Sequence, residues 1–305
     1  MKKYIATLLL CTSILSANNY SLKPIEINSD ITCVIGDFNP PTKSNKGFVS
    51  NMCYIDIGDS LVALDAGPTY SFAKEFYTLI KEKYPNKKVS HVILSNFHDD
   101  RVLGASFFKQ KGIKIVGHKT INAEYKKYKN KFGRIQRITS KELYSNTKLV
   151  EADILVNGGY KIVGTKKTIE IIKPSEISEE KSDIAIYSKN DSFLFVGNIV
   201  FNGRMLNYRS ASNIDGWIEA LQNLASINAK YFLGGHGKEY DKNSYTYSLE
   251  YLIALKKGVK KAYEDELDIE DVKASFDMEK FKNINHFSQL HSNNINNYYT
   301  QLEWE

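Results

Sequence analysis

The stretch LSNFHDDRVLG, residues 94–104, sets Asn96, His98, Asp100 and Arg101 within six positions. Alternate side chains of an extended segment point the same way, so Asn96, His98 and Asp100 are placed to act together. An imidazole titrates near neutrality and can accept or deliver a proton, which makes His98, with Asp100 beside it, the candidate for catalysis. The guanidinium of Arg101 stays protonated and can grip a carboxylate, phosphate or sulfur oxyanion through paired hydrogen bonds. Arg101 therefore either holds an anionic substrate or ligand, with Asn96 as a further polar contact, or pairs with Asp100 and only shapes the loop.

The surrounding sequence must position these groups. DITCVIGDF and NMCYIDIG read as strands, and SLVALDAGP as a third that ends at Asp65, where Gly67 and Pro68 interrupt it. TYSFAKEFYTLIKEKY places Phe72, Phe76, Leu79 and Ile80 at helical spacing. VSHVILS is a buried strand leading into the loop, a helix starts near Val102, and IKIVG is the next strand. Residues 119–148 read as helical and irregular. Short strands are expected at 160–164, 168–173, 183–187 and 192–196, then the helix NIDGWIEALQNLA, the strand AKYFLGG and a helical end from Ser244. Strands, helices, strands and helices in that order suggest two sheets packed face to face with helices outside.

Four segments, VALDAGPT, VILSNFHDDRVLGASFF, DSFLFVGNIVF and YFLGGHG, resemble the successive signatures of the metallo-β-lactamase superfamily, in order, across roughly residues 30–240. The resemblance implies an α/β (α+β) fold, a four-layer αββα sandwich, here with a helical C-terminal extension. It also implies a binuclear metal site at one edge and, commonly, hydrolysis by a metal-bound hydroxide. The C-terminal NHFSQLHSNNINNYYTQLEWE resembles exported members associated with sulfur-oxidation and quinoprotein gene clusters.

The family motif is His-x-His-x-Asp-His, and here it reads Asn96, His98, Asp100, Arg101. The third family histidine falls in SEISEEKSD, where Glu179 is the aligned acid, and the bridging aspartate is Asn198. His236 of GGHG matches the last histidine, and Asp65 matches a position that supports the site. Asn198 removes the charge that lets two dications sit close together. A guanidinium about 4 Å from a dication costs about 8 kcal/mol at an effective dielectric near 20. These replacements argue against a binuclear zinc centre. A single zinc, iron or manganese ion on His98, His236 and either Asp100 or Glu179 stays open.

The N-terminus MKKYIATLLLCTSILSANNY has the order of a secretory signal over residues 1–17, which places a metallo-β-lactamase-like domain at 18–243 and the helical extension at 244–305 on the same domain. A periplasmic or otherwise exported protein is expected, without stable membrane insertion after cleavage. Loss of Lys2 and Lys3 lowers the net charge from +6 to +4, with acids and bases mixed along the chain, so no nucleic-acid partner is expected. Cys33 and Cys53, left in neighbouring strands, could form a disulfide or remain buried thiols. The basic EYKKYKNKFGRIQR reads as a solvated surface helix, GDFNPPTKSNKGF as a loop that shapes the pocket entrance, and His91, His118, His286 and His291 as structural. Two functions follow: a one-metal hydrolase in which a bound water attacks a small anionic substrate oriented by Arg101, or a metal-free pseudoenzyme, a periplasmic binding or accessory protein whose Arg101 and Asn198 contact the ligand.

Overall fold

The computed structural model describes residues 19–275 and 278–304, so the signal segment expected at 1–17, with Cys11, lies outside the described residues. The first sheet runs in chain order: β1 (Pro24–Asn28), β2 (Ile31–Val34), β3 (Met52–Asp56), β4 (Ser60–Leu64), β5 (Lys88–Ile93), β6 (Lys114–His118) and β7 (Ile154–Val156). The second consists of β8 (Lys161–Val163), β9 (Thr168–Ile172), β10 (Ala185–Ser188), β11 (Phe193–Phe195) and β12 (Tyr231–Leu233), in the order β12-β11-β10-β9-β8. The helices are α1 (Tyr70–Lys83), α2 (Asp99–Val102), α3 (Ala105–Gln110), α4 (Ile121–Lys127), α5 (Gly133–Ile138), α6 (Lys141–Tyr144), α7 (Ile214–Ser226), α8 (Thr246–Glu264), α9 (Ile269–Ser275) and α10 (Phe287–Leu302).

Three apolar layers follow from the two-residue period of the strands. In β4, Val62 and Leu64 face the second sheet and meet Ile171, Ile186 and Phe195, while Leu61 and Ala63 face outward. Phe72, Phe76 and Ile80, at helical spacing on α1, cover that outer face. Thr69 starts α1 by accepting the Phe72 amide at 3.0 Å. Leu194 of β11 points away from its neighbours Phe193 and Phe195 into a third layer built with Trp217 and Leu221 of α7 and Leu252 and Leu255 of α8. Ile295 and Tyr298 of α10 complete this layer, so the helical extension packs on the second sheet. The arrangement is the αββα sandwich expected from sequence.

Cys33 and Cys53 face each other in register across β2 and β3 and are joined in a disulfide. The helix expected near Val102 is divided into two short pieces, α2 and α3. Gly104 lies between them, where a Cβ would come within 2.0 Å of the Ala66 carbonyl oxygen. The edge strands β1 and β7 add to the strands expected from sequence. No helix among the described residues is long and apolar enough to cross a membrane.

Strands β4 and β5 are parallel, as are β11 and β12. Their C-terminal ends therefore deliver Asp65, the 94–101 loop, Asn198 and His236 to one edge of the sandwich. Trp217 fixes the third of these loops by donating its indole N–H to the Ile199 carbonyl at 2.9 Å.

Candidate functional site

Arg101 is the centre of this edge and is fully buried. Its Nη1 donates to Asp65 Oδ2 at 2.5 Å, its Nε to Asn198 Oδ1 at 3.0 Å and its Nη2 to the Gly235 carbonyl at 3.1 Å; Nη2 also contacts Asn198 Oδ1. The expected pairing with Asp100 is thus corrected. The guanidinium turns inward to Asp65, because α2 carries the Asp100 carboxylate toward the pocket. Asp65 has φ +61, a left-handed conformation unusual outside glycine, and Ser95 holds its carboxylate through N–H and O–H donors at 2.7 and 2.8 Å. Burial raises the Asp65 carboxyl above its ordinary range, against the pull of Arg101 and Ser95. Gly235 is required for this fit: a Cβ there would stand 2.1 Å from Arg101 Nη2.

Because Asn198 Oδ1 accepts from Arg101, its Nδ2 must face the other way, and it lies 2.8 Å from His98 Nδ1. The donor–acceptor pattern then makes His98 Nδ1 an acceptor and leaves Nε2–H to donate to Glu180 Oε1 at 3.0 Å. A chain of fixed polarity runs from guanidinium through amide and imidazole to carboxylate. Burial disfavours the His98 cation, but Glu179 and Glu180 outweigh it and raise the pKa above its ordinary value. Glu180, itself buried, is lowered chiefly by the His98 hydrogen bond.

Asn96 lies beneath the surface, and its carboxamide joins two loops. Its Oδ1 accepts the His98 amide at 3.1 Å and its Nδ2 donates to Asp183 Oδ1 at 3.1 Å. Asp183 accepts from Ser178 Oγ and Glu180 N, both at 2.7 Å, and so orders the loop that carries Glu179 and Glu180. Arg101 and Asn96, expected as ligand contacts, are instead covered supports whose polar atoms are spent inside the protein.

Above the network lies a cavity of about 170 Å³ lined by His98, Asp100, Glu179, Asn198 and His236 of the expected set. His236 donates Nδ1–H to the Val49 carbonyl at 2.7 Å and stacks on Phe201 with centroids 4.7 Å apart. Burial, then Arg204 and Arg101, holds it far below its usual pKa, so it is neutral with its Nε2 lone pair unspent. Burial opposes ionisation of Asp100, but the guanidinium charges of Arg101 and Arg134 pull it well below the carboxylate range. Glu179 is fully buried, neither of its oxygens accepts a hydrogen bond among the described residues, and burial pushes it up to about 7.

Three arginines also line the cavity and were not singled out from sequence: Arg134, Arg204 and Arg209. Arg134 belongs to the basic stretch expected to be a solvated surface helix. It grips Asp99 through Nε at 3.1 Å and through Nη2. Arg204 is 9% exposed, and its Nε and Nη1 are buried with no hydrogen-bond partner among the described residues. Burial lowers its pKa. Arg209 Nε, also without a hydrogen bond, stands 3.6 Å from Glu179 Oε1. Pro40 and Pro41, from the loop expected at the entrance, and His286 from the C-terminal extension complete the rim. Arg204 and Arg209 lie on the segment between β11 and α7, whereas Arg134 comes from α5, so no single stretch of sequence marks the three as a group.

The residues do not fit the metals of a binuclear centre or the proposed single ion. Both His98 nitrogens are spent on Asn198 and Glu180, and Arg101, at the last position of the motif, brings a buried cation bound to Asp65, Asn198 and Gly235 in place of a ligand. No three His, Cys, Asp or Glu side chains among the described residues are grouped to hold a metal ion.

A family model, the metallo-beta-lactamase superfamily, matches residues 45–236, and the chain belongs to that superfamily. It is 23% identical over 240 residues to the metallo-beta-lactamase type 2 of Bacillus sp. (strain 170), covering 76% of this chain and 82% of that protein. The solved metallo-beta-lactamase of Pontibacter korlensis superimposes with TM-score 0.62 at 17% identity, over 76% of this chain and 99% of that one. That of Hirschia baltica gives TM-score 0.60 at 16% identity, over 76% and 97%. At these identities the structural likeness defines the fold, and the chemistry must be argued from the site.

Proposed function

We propose that this chain is a metal-free member of the superfamily that binds a small anionic molecule in the edge pocket. The observation that carries the reading is Arg204: a nearly buried guanidinium lines the cavity with Nε and Nη1 unpaired, and no carboxylate forms an ion pair with it among the described residues. A buried cation left in this state is costly unless an anion completes it. The single-ion hydrolase reading, with zinc, iron or manganese on His98, His236 and Asp100 or Glu179, would require His98 to release Asn198 or Glu180. Asp100 then serves as a charged pocket wall, and His98 as the link that fixes Glu180.

Export to an oxidising compartment accords with the Cys33–Cys53 bridge. Calorimetric titration of acetate and of inorganic phosphate into the purified protein tests the proposal. The expected result is saturable binding to the wild type that weakens about tenfold or more in Arg204→Gln, as loss of a charge-assisted contact requires. Equal affinity in the variant would remove Arg204 from the site, and no binding of any small anion would end the reading.

A further inference from the structure

The pocket has unmet bonding capacity of both signs. Arg204 Nε and Nη1 are buried donors without acceptors and Glu179 Oε2 is a buried acceptor without a donor, while Arg209 Nε and Glu179 Oε1 face each other at 3.6 Å as an ion pair with no hydrogen bond, all among the described residues. Asp100, 4% exposed, lines the same cavity, and the closest cation to its carboxylate is Arg134 Nη2 at 3.9 Å, too far for a hydrogen bond. A simple anion would satisfy the arginines and leave two carboxyl groups facing its own charge.

We propose that the ligand is a zwitterion of the α-amino-acid type, its carboxylate held by Arg204 and Arg209 and its ammonium by Asp100 and Glu179. The proposal rests on the anion-binding reading above and adds the second charge. An ammonium brings three donors for the carboxyl acceptors that line the cavity from α2 and the 178–183 loop. The carboxylate accepts from the arginine donors that the protein leaves without a hydrogen bond. A neighbouring cavity of about 290 Å³ shares His98, Arg134 and Arg209 with this one; Phe97 and Phe132 give it apolar surface for a side chain beside the charged Lys131 and Arg137.

The test compares matched pairs that differ only by the ammonium group: alanine against propanoate and phenylalanine against 3-phenylpropanoate, each titrated by calorimetry near neutral pH. Each amino acid is expected to bind about ten- to a hundredfold more tightly than its deaminated partner, the range for one charge-assisted hydrogen-bonding group. Asp100→Asn should erase most of that preference while carboxylate binding persists. Glu179→Gln, which removes no hydrogen bond present among the described residues, provides the second variant should Asp100→Asn fail to fold, and it should reduce the preference in the same direction. Equal binding within each pair, or tighter binding of the carboxylic acids, would overturn the zwitterion and leave the anion-binding reading standing. Failure of all four compounds and of phosphate to bind would overturn both.

Discussion

Replacing Arg101 by methionine removes the cation from a network with almost no access to water. Asp65, fully buried, would keep only its two Ser95 donors, and Asn198 Oδ1 would lose the donors that fix the amide's orientation. Breaking a buried pair by deleting one partner costs about 3–5 kcal/mol, because the remaining charge is uncompensated. An orphaned buried acceptor alone costs about 1–3 kcal/mol, but the terms share neighbours and do not simply add. Urea unfolding of Arg101→Met should therefore show a loss of about 3–5 kcal/mol. The loss should also depend on pH. Without the guanidinium, burial raises the Asp65 pKa further, so the folded state binds the proton more strongly than the unfolded state. Stability in the variant then falls as pH rises from the unfolded carboxyl value through the raised folded one, and the deficit is smallest in acid. Arg101→Met combined with Asp65→Asn should recover a large part of the loss. A single variant within about 1 kcal/mol of wild type at neutral pH, a shift ordinary for a surface site, would refute the claim that Arg101 organises this edge.

Gly235→Ala should destabilise by about 1–3 kcal/mol in the same unfolding assay, since its Cβ would meet Arg101 Nη2 at 2.1 Å and the Gly197 backbone at 2.6 Å. Glu179 has a folded pKa of about 7 against an ordinary value of 4.5, so it withdraws stability as pH rises between those values, by about 3 kcal/mol at most. Glu179→Gln should flatten the stability curve across that interval and make the protein more stable above it. Reducing the Cys33–Cys53 bridge, which spans a sequence separation of 20, should cost about 3 kcal/mol, read from unfolding with and without reductant.

The layers were legible because two-residue and helical periods record which face is buried, as in Val62 and Leu64 against Phe72 and Phe76. Segment order placed Asp65, His98, Asn198 and His236 at one edge, and their geometry agrees. The partner of Arg101 was not legible: Asp100 is adjacent in sequence, but the turn into α2 sends the two side chains apart, and Asp65 lies across β4 and β5. The sequence points to Glu179, whereas its neighbour Glu180 makes the His98 hydrogen bond, since one residue of register decides which carboxyl meets the ring. Arg134, Arg204 and Arg209 carry no local pattern that separates them from surface charge. Only tertiary folding brings them around one cavity.

On the metal-free reading, a chain of guanidinium, amide, imidazole and carboxylate replaces the metal-binding use of the motif residues Arg101, Asn198 and His98. Elemental analysis of protein purified without chelators, alongside His98→Ala and His236→Ala and after incubation with zinc, iron and manganese salts, tests it directly. Substoichiometric metal in all three proteins, with no gain on incubation, is the predicted result. About one ion per chain in the wild type, lost in both variants, would establish a two-histidine site and contradict the account.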